Sequence, residues 1–258
     1  MDPRMHEWLN AAFRWLHVIA GVMWIGHLWF FNFVNAQLAK TYDADSKKKV
    51  VPELMPRALY FFRWGAAYTL ITGIILFGLV YSMGGILAAS PHGAGGGTAL
   101  VLVVWVVGFL VYDLLWKAMA KSETAGAAVS FALFTAAAFG LSRTLDGRTV
   151  YITLGGLLGT IMASNVWMRI WPSQRKIIAG IKGTAPAAPP EVAALAGLRS
   201  KHNTYMSMPL MFFMVANHFP TIYGNDYGWA ISAGFVAAGF GIAKFLYDKS
   251  AAAAPAQF

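Results

Sequence analysis

The sequence predicts an all-α integral membrane bundle of about seven spanning helices, with its N-terminus outside and its C-terminus cytoplasmic. Three observations predict it. Apolar residues make up 58% of the chain and charged residues only 12%, where a soluble domain carries about a quarter charged. The apolar residues fall in separate runs of roughly 20, the length that crosses a ~30 Å hydrocarbon core as an α-helix. The basic residues also keep to one side: with the stated orientation, every Lys and Arg except Arg4, Arg14, Arg143 and Arg148 falls in the cytoplasm, as the positive-inside rule requires.

The elements follow in order. Residues 13–35, FRWLHVIAGVMWIGHLWFFNFVN, are apolar all round, unlike a surface helix. The run is too long for a signal-peptide core and precedes AQLAK rather than a cleavage pattern, so it is expected to stay as the first span. Residues 36–63 read as a polar loop carrying Lys47, Lys48 and Lys49, with Pro52 and Pro56 as breakers. The second span is 64–83, followed by GGILAASPHGAGGG at 84–97, a mobile outer loop lacking any phosphate-binding pattern. Spans three to five cover about 98–119, 125–142 and 149–170. The fourth is rich in small residues, as where membrane helices pack closely. Pro172 is expected to stop the fifth. Residues 172–201 then read as a linker plus a short interfacial helix, EVAALAGLRSK. Spans six and seven are 203–220 and 228–247, and 248–258 forms a tail expected to be disordered.

Composition also excludes functions. The formal charge of +9 would suit nucleic acid on a soluble domain, but its placement in loops is a topology signal instead. Cysteine is absent, which excludes disulfides, thiolate metal sites and covalent haem c through CxxCH. No Ser-His-Asp set, HExxH motif or nucleotide loop is present. No catalytic side chain is identifiable, and any chemistry is expected to be a cofactor's.

The histidines carry the functional reading. An ionisable side chain inside a membrane helix is costly and marks a functional site by default. His17 and His27 lie in span one, His218 in span six, and His202 at the inner mouth of span six. His17 and His218 share a depth about one turn below the outer face, whereas His27 is ~15 Å deeper. Imidazoles from two helices hold a b-type haem without covalent attachment. The outer pair, His17 and His218, is thus expected to ligate a haem iron. The inner pair, His27 and His202, is the place for a second haem. On a straight helix His202 and His218 point ~160° apart, so the inner pair needs a bend at Pro209 or a His202 that lies outside the span. The bland alternative for each is a histidine bonded to a backbone carbonyl. His6 and His92 read as solvated, and Met206, Met208, Met211 and Met214 as packing. Arg14, Arg143 and Arg148 are outer cations available to a haem propionate or an anionic substrate.

Three stretches, HVIAGVMWIGHLWFFNFVN, NVWMRIWPSQRK and KHNTYMSMPLMFFMVANHFP, together resemble the membrane domain of the bacterial membrane-bound, cytochrome-c-linked urate oxidase (urate hydroxylase) family. The similarity runs from about residue 10 to residue 247. The resemblance implies a multi-pass module of the bacterial inner membrane, coupled to urate oxidation, with a C-terminal cytochrome c domain accepting electrons outside. It places His17, His27, His202 and His218 within the family's patterns. No CxxCH follows the seventh span, so a separate cytochrome c or oxidoreductase subunit is the expected electron partner, with quinone as another. Two readings result. One is a haem-b redox protein; the other is a non-catalytic membrane subunit that anchors a respiratory or photosynthetic complex.

Overall fold

A computed structural model describes residues 2–119 and 121–252. Every regular element among the described residues is helical. The long ones are α1 (Pro3–Trp29), α2 (Ala44–Phe77), α3 (Gly93–Ala118), α4 (Glu123–Ser142), α5 (Gly147–Asn165), α6 (Trp171–Lys182), α7 (Pro190–Ala216) and α8 (Gly228–Ala252). Three π-helical segments, Phe30–Asn35, Gly78–Ser82 and Val166–Ile170, prolong α1, α2 and α5. Among the described residues, six helical stretches are long and apolar enough to cross a membrane: Pro3–Thr41, Ala44–Ser82, Gly93–Ala118, Glu123–Ser142, Gly147–Lys182 and Gly228–Ala252. The architecture is an all-α membrane bundle. The segment predicted as span six lies on α7, which is 27 residues long but carries Glu191, Arg199, Lys201, Asn203, Thr204 and Ser207, and so falls short of that apolarity.

The expected loop 36–63 is largely helix instead, because α2 runs straight through Pro52 and Pro56. Each interior proline costs about 3 kcal/mol. Val51, Met55, Ala58, Leu59 and Phe62 nevertheless keep a helical spacing across both prolines, and the last three are buried. Burying a Leu or Phe side chain returns ~1.5–3 kcal/mol each, so the stripe offsets much of that cost. Pro172 does not stop the fifth span either. It falls where the π-helical segment gives way to α6, a step at which the hydrogen-bond register is already changing. The helix ends at Gly183, whose φ of +74° closes the cap, with Gly183 N–H donating to Gly180 O and Thr184 N–H to Ala179 O. Helix α7 joins the expected interfacial helix and the sixth span into one rod and passes through Pro209. Helix α8 continues to Ala252; of the expected tail, residues 253–258 lie outside the described residues.

The chain divides into two compact units. The first comprises Met1–Trp15, Ile71–Ile161 and Met208–Gly239. Its core surrounds Trp105, whose indole N–H donates to Thr153 O at 2.9 Å, while Phe77 stands edge-on to the ring at 5.2 Å. Tyr151 closes the other end, donating to Gly228 O at 2.9 Å and packing edge-on against Phe213. The second unit comprises Leu16–Leu70, Met162–Ser207 and Phe240–Phe258. There α1 and α2 meet at backbone distance: a Cβ added to Gly65 would lie 3.0 Å from Trp24 N and 3.2 Å from Ala20 O. Leu28, Ala66 and Phe62 extend this buried seam.

Candidate functional site

Three of the four predicted ligands, His17, His27 and His202, belong to the second unit. Helix α1 is apolar on nearly every side, so nothing in water competes for its backbone, and it carries His27 into the bundle half-buried. The His27 Nδ1 lies 2.7 Å from Met23 O, one turn back. A carbonyl oxygen only accepts, so Nδ1 carries a proton, and Nε2 is the nitrogen that can present a lone pair. The ring is stacked on Phe61 of α2 at 5.9 Å with 24° between planes, and Phe31 lies 6.5 Å away. Among the described residues Nε2 makes no hydrogen bond. His27 thus has a fixed tautomer, aromatic walls and a free donor atom. His17 stands half-buried ten residues earlier on the same helix, ~15 Å along its axis.

Two hydrogen bonds between α1 and α7 engage other residues. Trp29 Nε1–H donates to Ser207 Oγ at 3.0 Å, and Asn32 Nδ2–H donates to Ser200 Oγ at 2.9 Å. Tyr247 of α8 donates to Asn32 Oδ1 at 3.0 Å. At ~100° per residue, Trp29 and Asn32 lie on the side of α1 away from His27. The structure therefore points His27 at α2, and it does not bring His27 and His202 together through the α1–α7 contact.

Helix α7 carries a polar strip that sequence reasoning missed. Asn165 Nδ2–H donates to Asn203 Oδ1 at 2.9 Å, and Asn203 Nδ2–H donates to Met162 O at 2.9 Å. Both asparagines are fully buried, and the Arg199 guanidinium beside them is only 1% exposed. Such amide pairs contribute about 1 kcal/mol inside a membrane bundle and fix the register of the helices that share them. The available signal was an asparagine within each of two apolar runs, in the NVW and HNTY stretches. His202 lies just ahead of the segment predicted to span. Its burial, reinforced by the Arg199 and Lys201 charges, pushes the imidazole down to about 3. At neutral pH this ring is uncharged, the form in which histidine ligates a metal.

His218 belongs to the first unit and is exposed in the turn after α7. The cause is local: Phe219 precedes Pro220 and takes an extended conformation, φ −122° and ψ 90°, as residues before proline do. The helix has therefore ended at Ala216 before His218 is reached. In the same unit Tyr81 donates to Asn217 Oδ1 at 2.9 Å, and the Arg148 guanidinium lies 5.8 Å from the Tyr81 ring. His6 is not simply solvated; it is half-buried and its Nε2 donates to Leu79 O at 2.9 Å. His92 is exposed, as expected.

Comparison with curated proteins and with solved structures returns no match. A protein-family model described as urate oxidase N-terminal matches residues 3–51 and 42–257. With nearly the whole length matched, the chain belongs to the urate oxidase N-terminal family.

Proposed function

We propose that this membrane protein is a haem-b redox module that passes electrons derived from urate to a separate cytochrome c or oxidoreductase subunit. The single observation that carries the reading is the state of His27. Its proton is committed to Met23 O, its Nε2 lone pair has no protein partner among the described residues, and Phe61 holds the ring in place. A ligating histidine commonly donates its other N–H to a backbone carbonyl, as a purely structural histidine also does, so the unpartnered Nε2 is what supports the reading. The residues present therefore fit the group. A bound b-type haem supplies reversible one-electron transfer.

In this reading His27 would hold the iron through Nε2, with its ring packed against Phe31 and Phe61. His17, His202 and His218 are the further histidines that would hold haem, of which His202 is kept neutral by its surroundings. Arg148 and Arg14 are outer-side cations suited to an anionic propionate or to urate, a monoanion at neutral pH. Urate enters the proposal from the family's description. The orientation, with N-terminus outside and C-terminus cytoplasmic, rests on the distribution of Lys and Arg.

The test is an optical difference spectrum of purified wild type and His27→Ala, followed by anaerobic addition of urate. The expected result is a b-type band in the wild type that urate reduces, and loss of at least one haem equivalent in His27→Ala with insertion unchanged. Full haem content in His27→Ala would remove it as a ligand. A haem that urate leaves oxidised would end the urate assignment.

A further inference from the structure

The tryptophans of the NVWMRIWPSQRK stretch frame a charged group. Trp167 and Trp171 stand four residues apart and share one side of their helix. Arg63 of α2 lies against them, its guanidinium carbon 4.0 Å from the Trp171 ring centre and 5.9 Å from those of Trp167 and Trp64. Tyr60 contributes a fourth ring at 5.8 Å. The Trp167 indole N–H donates to Arg63 O at 3.0 Å, which pins the backbone as well. A second guanidinium, that of Arg175 one turn along α6, lies 5.9 Å from the same Trp171 ring. Two cations thus meet one indole.

Stacking on an aromatic face stabilises a cation but does not neutralise it. Among the described residues neither Arg63 nor Arg175 forms a salt bridge. The Arg63 Nε–H is buried without an acceptor. Two carboxylates of this unit are already engaged, Glu53 by Arg57 and Asp248 by Lys244. A plain aromatic belt requires no second arginine at one ring. What the cage lacks is an anion that accepts from forked donors.

We propose that Arg63 and Arg175, framed by Trp64, Trp167 and Trp171, bind the phosphate of an anionic phospholipid headgroup. A phosphate diester presents the oxygens that guanidinium forks recognise. Indole rings settle at headgroup level in membranes, and basic pockets between spanning helices take such headgroups. The charge rule also assigns this end of α6 to the cytoplasmic side, where anionic lipid is available. The site stands independently of the haem reading.

Native mass spectrometry of the delipidated full chain tests it, with dioleoyl-phosphatidylglycerol, dioleoyl-phosphatidylcholine or inorganic phosphate added back. The expected result is saturable retention of phosphatidylglycerol over phosphatidylcholine. Retention should fall at least tenfold in Arg63→Gln/Arg175→Gln and severalfold in Arg175→Gln, an exposed position that leaves the fold untouched. Lys48→Gln/Lys49→Gln, which removes the same charge from another exposed segment, should bind as wild type. Undiminished retention in Arg175→Gln and in the double variant would overturn the site. Equal loss in the lysine control would reduce it to general surface charge. Displacement of the lipid by inorganic phosphate would overturn the lipid as occupant and leave a soluble phosphate in its place.

Discussion

At the scale of single residues, the surroundings of each imidazole decide its chemistry. His27 is held by Met23 O and Phe61, while His202 is held neutral by burial beside two cations. The second case makes a pH prediction. The unfolded chain binds a proton on His202 below its ordinary value of 6.5, and the folded chain does so only near 3. Stability is then complete above pH ~6.5 and declines as pH falls below it, by at most about 2 kcal/mol at pH 5. Thermal unfolding at pH 7 and pH 5 should show this slope in the wild type and a flatter one in His202→Gln. Identical slopes would assign the acid sensitivity to other groups. The histidines themselves were legible from sequence, since an ionisable residue in an apolar run announces itself. Their surroundings were not. The carbonyl that sets the His27 tautomer and the Asn165–Asn203 pair depend on neighbours far apart in the chain, and His218 leaves the helix because of Pro220, a local rule that the hydropathy pattern obscured.

At the scale of elements, contact distance between helices matters more than propensity. The apolar runs and their helical nature were plain in the sequence. The continuity of α2 through Pro52 and Pro56 was not, because a proline rule is local and the buried stripe that overrides it ends at Phe62, well beyond both. The α1–α2 seam that carries His27 and Phe61 depends on Gly65. Its added methyl would meet main-chain atoms of Trp24 at 3.0 and 3.1 Å, and these cannot swing aside as a side chain can. Gly65→Ala should therefore part the two helices and cost about 1–3 kcal/mol, read as a lower Tm in detergent. Gly21→Ala, where the same methyl meets nothing within 4 Å, should leave Tm unchanged or raise it slightly. A Gly65→Ala protein as stable as wild type would show that the seam yields.

At the scale of the whole molecule, the proposal is a membrane bundle with one defined orientation and a redox cofactor inside it. The chain contains no cysteine, so single cysteines report orientation without background. A membrane-impermeant maleimide applied to intact cells should label Asp226→Cys, and should label Lys48→Cys only after lysis. The reverse pattern would invert the topology that the Lys and Arg distribution implies. The central claim is haem, and the measurement that tests it most directly is a pyridine haemochrome count on protein purified from haem-replete cells. The account predicts a b-type chromophore at one or two equivalents per chain. A colourless, fully folded protein that co-purifies with other subunits would contradict it and leave a structural membrane subunit in its place.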